Sequence, residues 1–147
     1  VTRSFRSAPG DDEELRVDLR DRAARRVSEA IGDGFFIEAI ALQDSMISDR
    51  LEEFLGMHKD RVTMNSLGQL AQLSRDLAPA EFTALADRIL VWADHRNVAM
   101  HQMVKVGPTY HGTWDTRVEH ARRTAGAGQE LLRDVESAVA RHRAQTR

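Results

Sequence analysis

The chain contains no cysteine, so disulfide staples and thiolate-bound metals are excluded. That fits a cytoplasmic protein. Lysine is nearly absent as well, occurring only at Lys59 and Lys105, and arginine supplies the rest of the positive charge. Aromatic residues are 5% of the sequence and prolines number 3, which removes much of what builds strands and long irregular loops. No stretch of about 18 apolar residues occurs, so no membrane span is expected. Val1 to Gly10 is polar and lacks the apolar core of a signal peptide. The formal net charge of −2 argues against indiscriminate adhesion to nucleic acid, which relies on a basic surface. Any nucleic acid handled by this chain has to be gripped locally.

The familiar catalytic and cofactor signatures are missing too. There is no phosphate-binding G-x-x-x-x-G-K-[ST] loop, and Gly126-Ala127-Gly128 is too short to replace one. No G-x-S-x-G elbow and no cysteine nucleophile is present. The 6 histidines, at positions 58, 95, 101, 111, 120 and 142, include no H-E-x-x-H and no pair at i, i+4. Glu119-His120 stands alone. Neither a metal nor a cofactor is therefore expected.

What remains is rich in Ala, Leu, Arg, Glu and Asp, side chains that lose little freedom in a helix. A length of 147 residues suits one domain with a single core. After Pro9 and the acidic start Asp11 to Glu14, Leu15, Leu19, Ala23, Val27, Ala30 and Ile31 recur at helical spacing, up to Gly32 and Gly34. A second helix is predicted from about Phe35 to Leu55, with Phe36, Ile40, Ile47, Leu51, Phe54 and Leu55 facing the core. Met57 to Asn65 reads as a connection. Ser66 caps a short third helix carrying Leu67, Leu70, Leu73 and Leu77. Pro79 opens a fourth, predicted through Phe82, Leu85, Ile89, Trp92 and Ala93 to about Val104. Gly107, Pro108, Gly112 and Thr113 interrupt the pattern. A last helix should run from Trp114 to His142, with Gly126 and Gly128 loosening or kinking its middle. The expected fold is an all-α, up-and-down bundle of four to five helices over residues 11–142. A flexible segment, 1–10, precedes it and a frayed end, 143–147, follows.

One passage stands apart from this pattern. Between Trp92 and Lys105, a mostly apolar helix carries Asp94, His95, Arg96, Asn97 and His101. Arginine offers a fixed charge and a planar fork suited to a phosphodiester. Histidine accepts or donates a proton near neutral pH. Together these suffice to cleave RNA, because the ribose 2′-OH is an internal nucleophile and only needs positioning and charge stabilisation. The scheme calls for no metal. Helical geometry sets Arg96 and His101 about 140° apart, so they flank a groove rather than share a stripe. Asn97 lies beside His101 at i, i+4.

Arg96-Asn97-Val98-Ala99-Met100-His101 resembles the signature of HEPN domains, an arginine and a histidine separated by four to six residues. The polar residue directly after the arginine matches as well. Trp92 on the same helix, the long helix over 36–56 and the Leu-Gly-Gln-Leu segment at 67–70 are also similar to that family. The likeness covers roughly residues 11–142, weakly in the first and last helices. It implies an all-α bundle that forms a homodimer, two copies of the motif facing each other across a cleft. It further implies a metal-independent ribonuclease of toxin–antitoxin or phage-defence systems, with RNA as substrate and an antitoxin or regulatory protein as a possible partner. Arg96 would then hold the phosphate, His101 would transfer protons or stabilise charge, and Asn97 would orient the site.

Three further residues are candidate substrate contacts. His95 is either a helper to the motif or a solvated partner of Asp94. Lys105 closes the same stretch. Tyr110, with His111 and Trp114 in the following loop, either stacks on an RNA base or anchors the loop. Against the catalytic reading, Arg96 can simply pair with Glu38 or Asp44 on the second helix, and His101 can be a satisfied, half-buried histidine. Met100 and Met103 read as packing residues. The charged run Arg16 to Arg26 reads as a solvated helix face. Two other functions therefore stay open: a non-catalytic binding or regulatory module of the same fold, and a structural bundle.

Overall fold

The computed structural model describes residues 10–58 and 66–146. Five helices occur among them: α1 (Gly10–Asp33), α2 (Phe36–Gly56), α3 (Leu67–Leu77), α4 (Pro79–His101) and α5 (Trp114–Gln145). The described residues contain no strand, only an isolated bridge between Gly107 and Tyr110. The predicted flexible segment before Gly10 and most of the connection after Met57 lie outside the described residues.

Local chemistry sets the helix ends. Gly34 takes φ +83°, a left-handed conformation open to glycine. The N–H of Gly34 donates to Ile31 (3.2 Å) and that of Phe35 to Ala30 (2.7 Å), closing α1 and reversing the chain into α2. Ser66 and Gln69 form a reciprocal capping box at the start of α3. Pro79 sits in the first turn of α4, where no N–H is missed. Thr113 caps α5 by accepting the N–H of Thr116 at 3.3 Å.

The four long helices alternate in direction. Arg26 on α1 pairs with Glu38 on α2, and Arg20 with Asp49 and Glu53, so these two run antiparallel. Arg88 reaches Asp134, and Trp92 reaches Thr124, so α4 and α5 are antiparallel too. The short α3 folds back on α4 across the single residue Ala78, tied by Arg75 to Asp87. The core runs down the middle, with Ile40, Ile47, Leu51 and Phe54 from α2, Phe82 and Ile89 from α4, and Val135 and Val139 from α5 fully buried.

Several boundaries and faces differ from the sequence reading. Leu15 and Leu19 are 53% and 55% exposed, not core residues. Ala23, Val27 and Ala30 of the predicted stripe do face inward, and the N-terminal half of α1 is set by Arg20, whose two ion pairs reach α2. α4 stops at His101 rather than Val104, because the chain turns away at Gln102. α5 continues to Gln145, past the point where fraying was expected, and Arg143 pairs with Glu53 of α2. Gly126 and Gly128 do not interrupt α5. Gly128 serves close packing: a β-carbon there would stand 2.2 Å from Gln43 Oε1 and 3.0 Å from Trp92 Nε1.

Candidate functional site

The last two turns of α4 carry the motif, held in place by Trp92 and Ala99, which are buried against the core. Trp92 Nε1 donates to the backbone oxygen of Thr124 at 3.0 Å, fixing the rotation of α4 against α5. That rotation turns Arg96 toward α2. Its Nη1 donates to Asp44 Oδ1 at 3.0 Å. Nε and Nη2 both donate to Asn97 Oδ1, at 3.2 and 2.9 Å. The guanidinium is thus held flat by two acceptors, and the side chain is only 16% exposed. Of the two carboxylates considered as partners, Asp44 is the one engaged, while Glu38 belongs to Arg26.

His101 closes α4 and is exposed, with no side-chain hydrogen bond or ion pair to another described residue. It is therefore not a satisfied, half-buried histidine. Neither Arg96 nor His101 lines the cavity beneath the loop after α4 or the groove between α4 and α5. Asn97 accepts from Arg96 and lies one helical turn before His101 on the same helix. Met100, between the two, is 37% exposed rather than packed.

His95 pairs not with Asp94 but across to α5, its Nδ1 3.0 Å from Nε2 of His120. One ring must donate and the other accept, so the contact needs at least one neutral imidazole. Burial first, then the charges of His95 and Arg123, hold the His120 pKa below the ordinary histidine value. A second pair lies at the opposite end of the bundle. His58 Nε2 and His142 Nε2 are 2.7 Å apart, both rings pack on Phe54, and Glu81 stands 3.5 Å from the other nitrogen of His142. Among the described residues, no group of three or more His, Asp or Glu is arranged to hold a metal ion.

The loop from Gln102 to Thr113 is organised by a residue the sequence reading missed. Arg117, in the first turn of α5, donates to the backbone oxygens of Gln102 and Lys105 (each 2.6 Å), Gly112 (2.8 Å) and Tyr110 (3.3 Å). An arginine nine residues past a proline gives no sign in sequence that four carbonyls will converge on it. Lys105 and Tyr110 are both exposed on this loop. Beneath it lies a cavity of about 180 Å³, with Val98, Ala99 and Met103 on one side and Tyr110, His111 and Thr116 on the other. A larger, open groove between α4 and α5 passes His95, Trp92 and Arg88. No helix among the described residues is long and apolar enough to cross a membrane. Compared with known protein families, with curated proteins and with solved structures, the chain matches none of them.

Proposed function

We propose that this chain is a metal-independent endoribonuclease of the HEPN type, acting as a homodimer in the cytoplasm, in a toxin–antitoxin or phage-defence role. The observation that carries the reading is the state of the two motif residues. Asp44 and Asn97 hold the Arg96 guanidinium where α4 faces α2, while His101 stands exposed at the end of the same helix, with no side-chain partner among the described residues.

In this scheme a phosphodiester approaches there and exchanges with Asp44 for the guanidinium fork, which forms paired hydrogen bonds with two phosphoryl oxygens. The ribose 2′-oxygen attacks phosphorus, the bond to the 5′-oxygen breaks, and the products are a 2′,3′-cyclic phosphate and a 5′-hydroxyl. His101 takes the proton from the 2′-OH or gives one to the leaving oxygen. The angle between Arg96 and His101 leaves the pair incomplete in one copy, and a second copy facing it supplies the missing group. His95 and Lys105 flank the path of the chain on either side.

A second reading rests on the Arg96–Asp44 ion pair, which ties α2 to α4 as a structural clasp would. In that case the chain is a binding or scaffolding bundle. Incubating generic RNA with the protein in excess chelator separates the two. Cleavage that survives chelation, yields cyclic phosphate ends and is lost in both Arg96→Ala and His101→Ala supports the nuclease. Equal inertness of the parent and both variants leaves the clasp as the explanation.

A further inference from the structure

We propose that the cavity beneath the loop of residues 102–113 is a binding pocket for a single pyrimidine base. The choice of a nucleobase as ligand class rests on the ribonuclease reading. The pocket itself rests on three independent observations.

The first is size. A cavity of 150 Å³ accepts a benzene ring, so about 180 Å³ admits one six-membered ring with its exocyclic atoms. A fused two-ring purine is larger and fits it less well. The second is the lining. Val98, Ala99 and Met103 offer an apolar wall to a ring face, while Tyr110, His111 and Thr109 from the loop, facing them, add rings and hydrogen-bonding edges.

The third is an orphan acceptor. Gln102 lines the cavity, and its side-chain Oε1 is buried with no hydrogen-bond partner. A buried amide oxygen left unpaired is unfavourable, and a ligand N–H removes that cost once the amide turns to the cavity. Both pyrimidines present such a donor on the edge away from the sugar: the 4-amino group of cytosine, or N3–H of uracil. Thr116 cannot compete for the site, because its hydroxyl already donates to Thr113. His111 is likewise engaged through Nε2 with the backbone oxygen of Pro108.

The loop is also held ready. Arg117 draws four of its carbonyls to one guanidinium, and Gly112 allows the approach to α5, since a β-carbon there would lie 2.7 Å from Thr116 Oγ1. Val98 and Gln102, which line the pocket, stand one helical turn before His101 and directly after it in the chain, so in this proposal a bound base brings its ribose toward the exposed imidazole. The consequence is a preference for cleavage next to pyrimidines.

The test uses the intact His101→Ala protein, in which any cleavage is silenced, titrated with neutral nucleosides and followed by NMR. Cytidine and uridine should produce saturable shifts at Val98, Met103 and Thr116, with adenosine and guanosine at least tenfold weaker. Val98→Phe, which fills the cavity, should abolish the shifts. Gln102→Leu, at a half-buried position that leaves the core untouched, should weaken them severalfold if Val98→Phe disturbs folding. Absence of shifts at the cavity residues, or purines binding as well as pyrimidines, overturns the proposal. Pyrimidine binding together with a parent protein that cleaves no RNA would keep the pocket and discard the nuclease.

Discussion

Gln43 on α2 donates a 2.7 Å hydrogen bond to the backbone oxygen of Ala125 on α5, and Gly128 lies against the same side chain. The amide is fully buried, and its position is fixed by the bond it makes. A methyl group at 128 would meet Gln43 Oε1 at 2.2 Å and Cδ at 2.6 Å. Trp92 Nε1, the next nearest atom, is tied to Thr124 and cannot give way cheaply. Alanine gains about 1 kcal/mol over glycine in helix propensity, but overpacking of this kind costs about 1–3 kcal/mol. Gly128→Ala should therefore lower the urea midpoint, whereas Gly126→Ala, with open space around it, should raise it. A Gly128→Ala midpoint at or above the parent's would show that Gln43 can move aside.

Arg117 should act on one loop and on little else. Arg117→Ala leaves four carbonyls of the 102–113 loop without their common donor. Amide exchange in that loop should rise by an order of magnitude or more, while protection in α2 and the middle of α5 stays near the parent level. Arg117→Lys should recover only part of the loss, because an ammonium cannot fork to several acceptors in one plane. Uniform loss of protection across the chain would mean that the loop is instead part of the cooperative core.

The ion pair between Arg96 and Asp44 gives the sharpest contrast between the functional readings. The pair is partly buried, with side-chain exposures of 16% and 34%. Removing either partner should cost about 1–3 kcal/mol, between the values typical of surface and buried pairs. A double-mutant cycle with Arg96→Ala and Asp44→Ala should show that coupling in thermal unfolding. A clasp predicts nothing more. The nuclease reading adds that Asp44→Ala keeps cleavage, since the guanidinium is then free for phosphate, while Arg96→Ala abolishes it. Loss of cleavage in Asp44→Ala with a normal melting curve would instead assign the carboxylate a role in the site.

The helices were legible because their apolar residues repeat at the spacing of a helix, and because Ser66, Pro79 and the glycine at 34 mark ends by simple stereochemistry. The face of the N-terminal half of α1 was not legible. Leu15 and Leu19 fit a helical stripe as well as Arg20 does, and only the carboxylates of α2, far away in sequence, decide for Arg20. The same limit applied at the site. The residue types from His95 to His101 were conspicuous in the sequence. Of the partners that define their state, Asp44 was one of two carboxylates the sequence offered to Arg96, whereas His120, reaching His95 from another helix, gave no such sign. Gly128 was read as a weak point in α5, because local propensity says nothing about a glutamine arriving from the opposite wall.

The two histidine pairs should make the fold sensitive to mild acid. His58 and His120 both have pKa values held below the ordinary 6.5, in each case first by burial and then by the neighbouring imidazole, with Arg123 adding to the effect on His120. A histidine that protonates less readily when folded than when unfolded makes the unfolded chain the stronger proton binder below about pH 6.5. Stability therefore falls as pH drops through 6.5 toward the folded pKa values, and levels off beneath them. Glu81 on α4 stands 3.5 Å from His142 in the pair that includes His58. Glu52, whose pKa is raised by burial and by Asp49, works in the opposite direction above pH 4.5. Glu38 and Glu119, held low by Arg26 and Arg122, come into play only from about pH 4.5 downward. Thermal unfolding should thus show a lower Tm at pH 5.5 than at pH 7.5, and the double variant His58→Gln/His120→Gln should flatten that slope. An unchanged slope in the double variant would mean that neither pair carries the acid response, and imidazole proton shifts titrating at pH 6.5 or above would contradict the direction given for both rings.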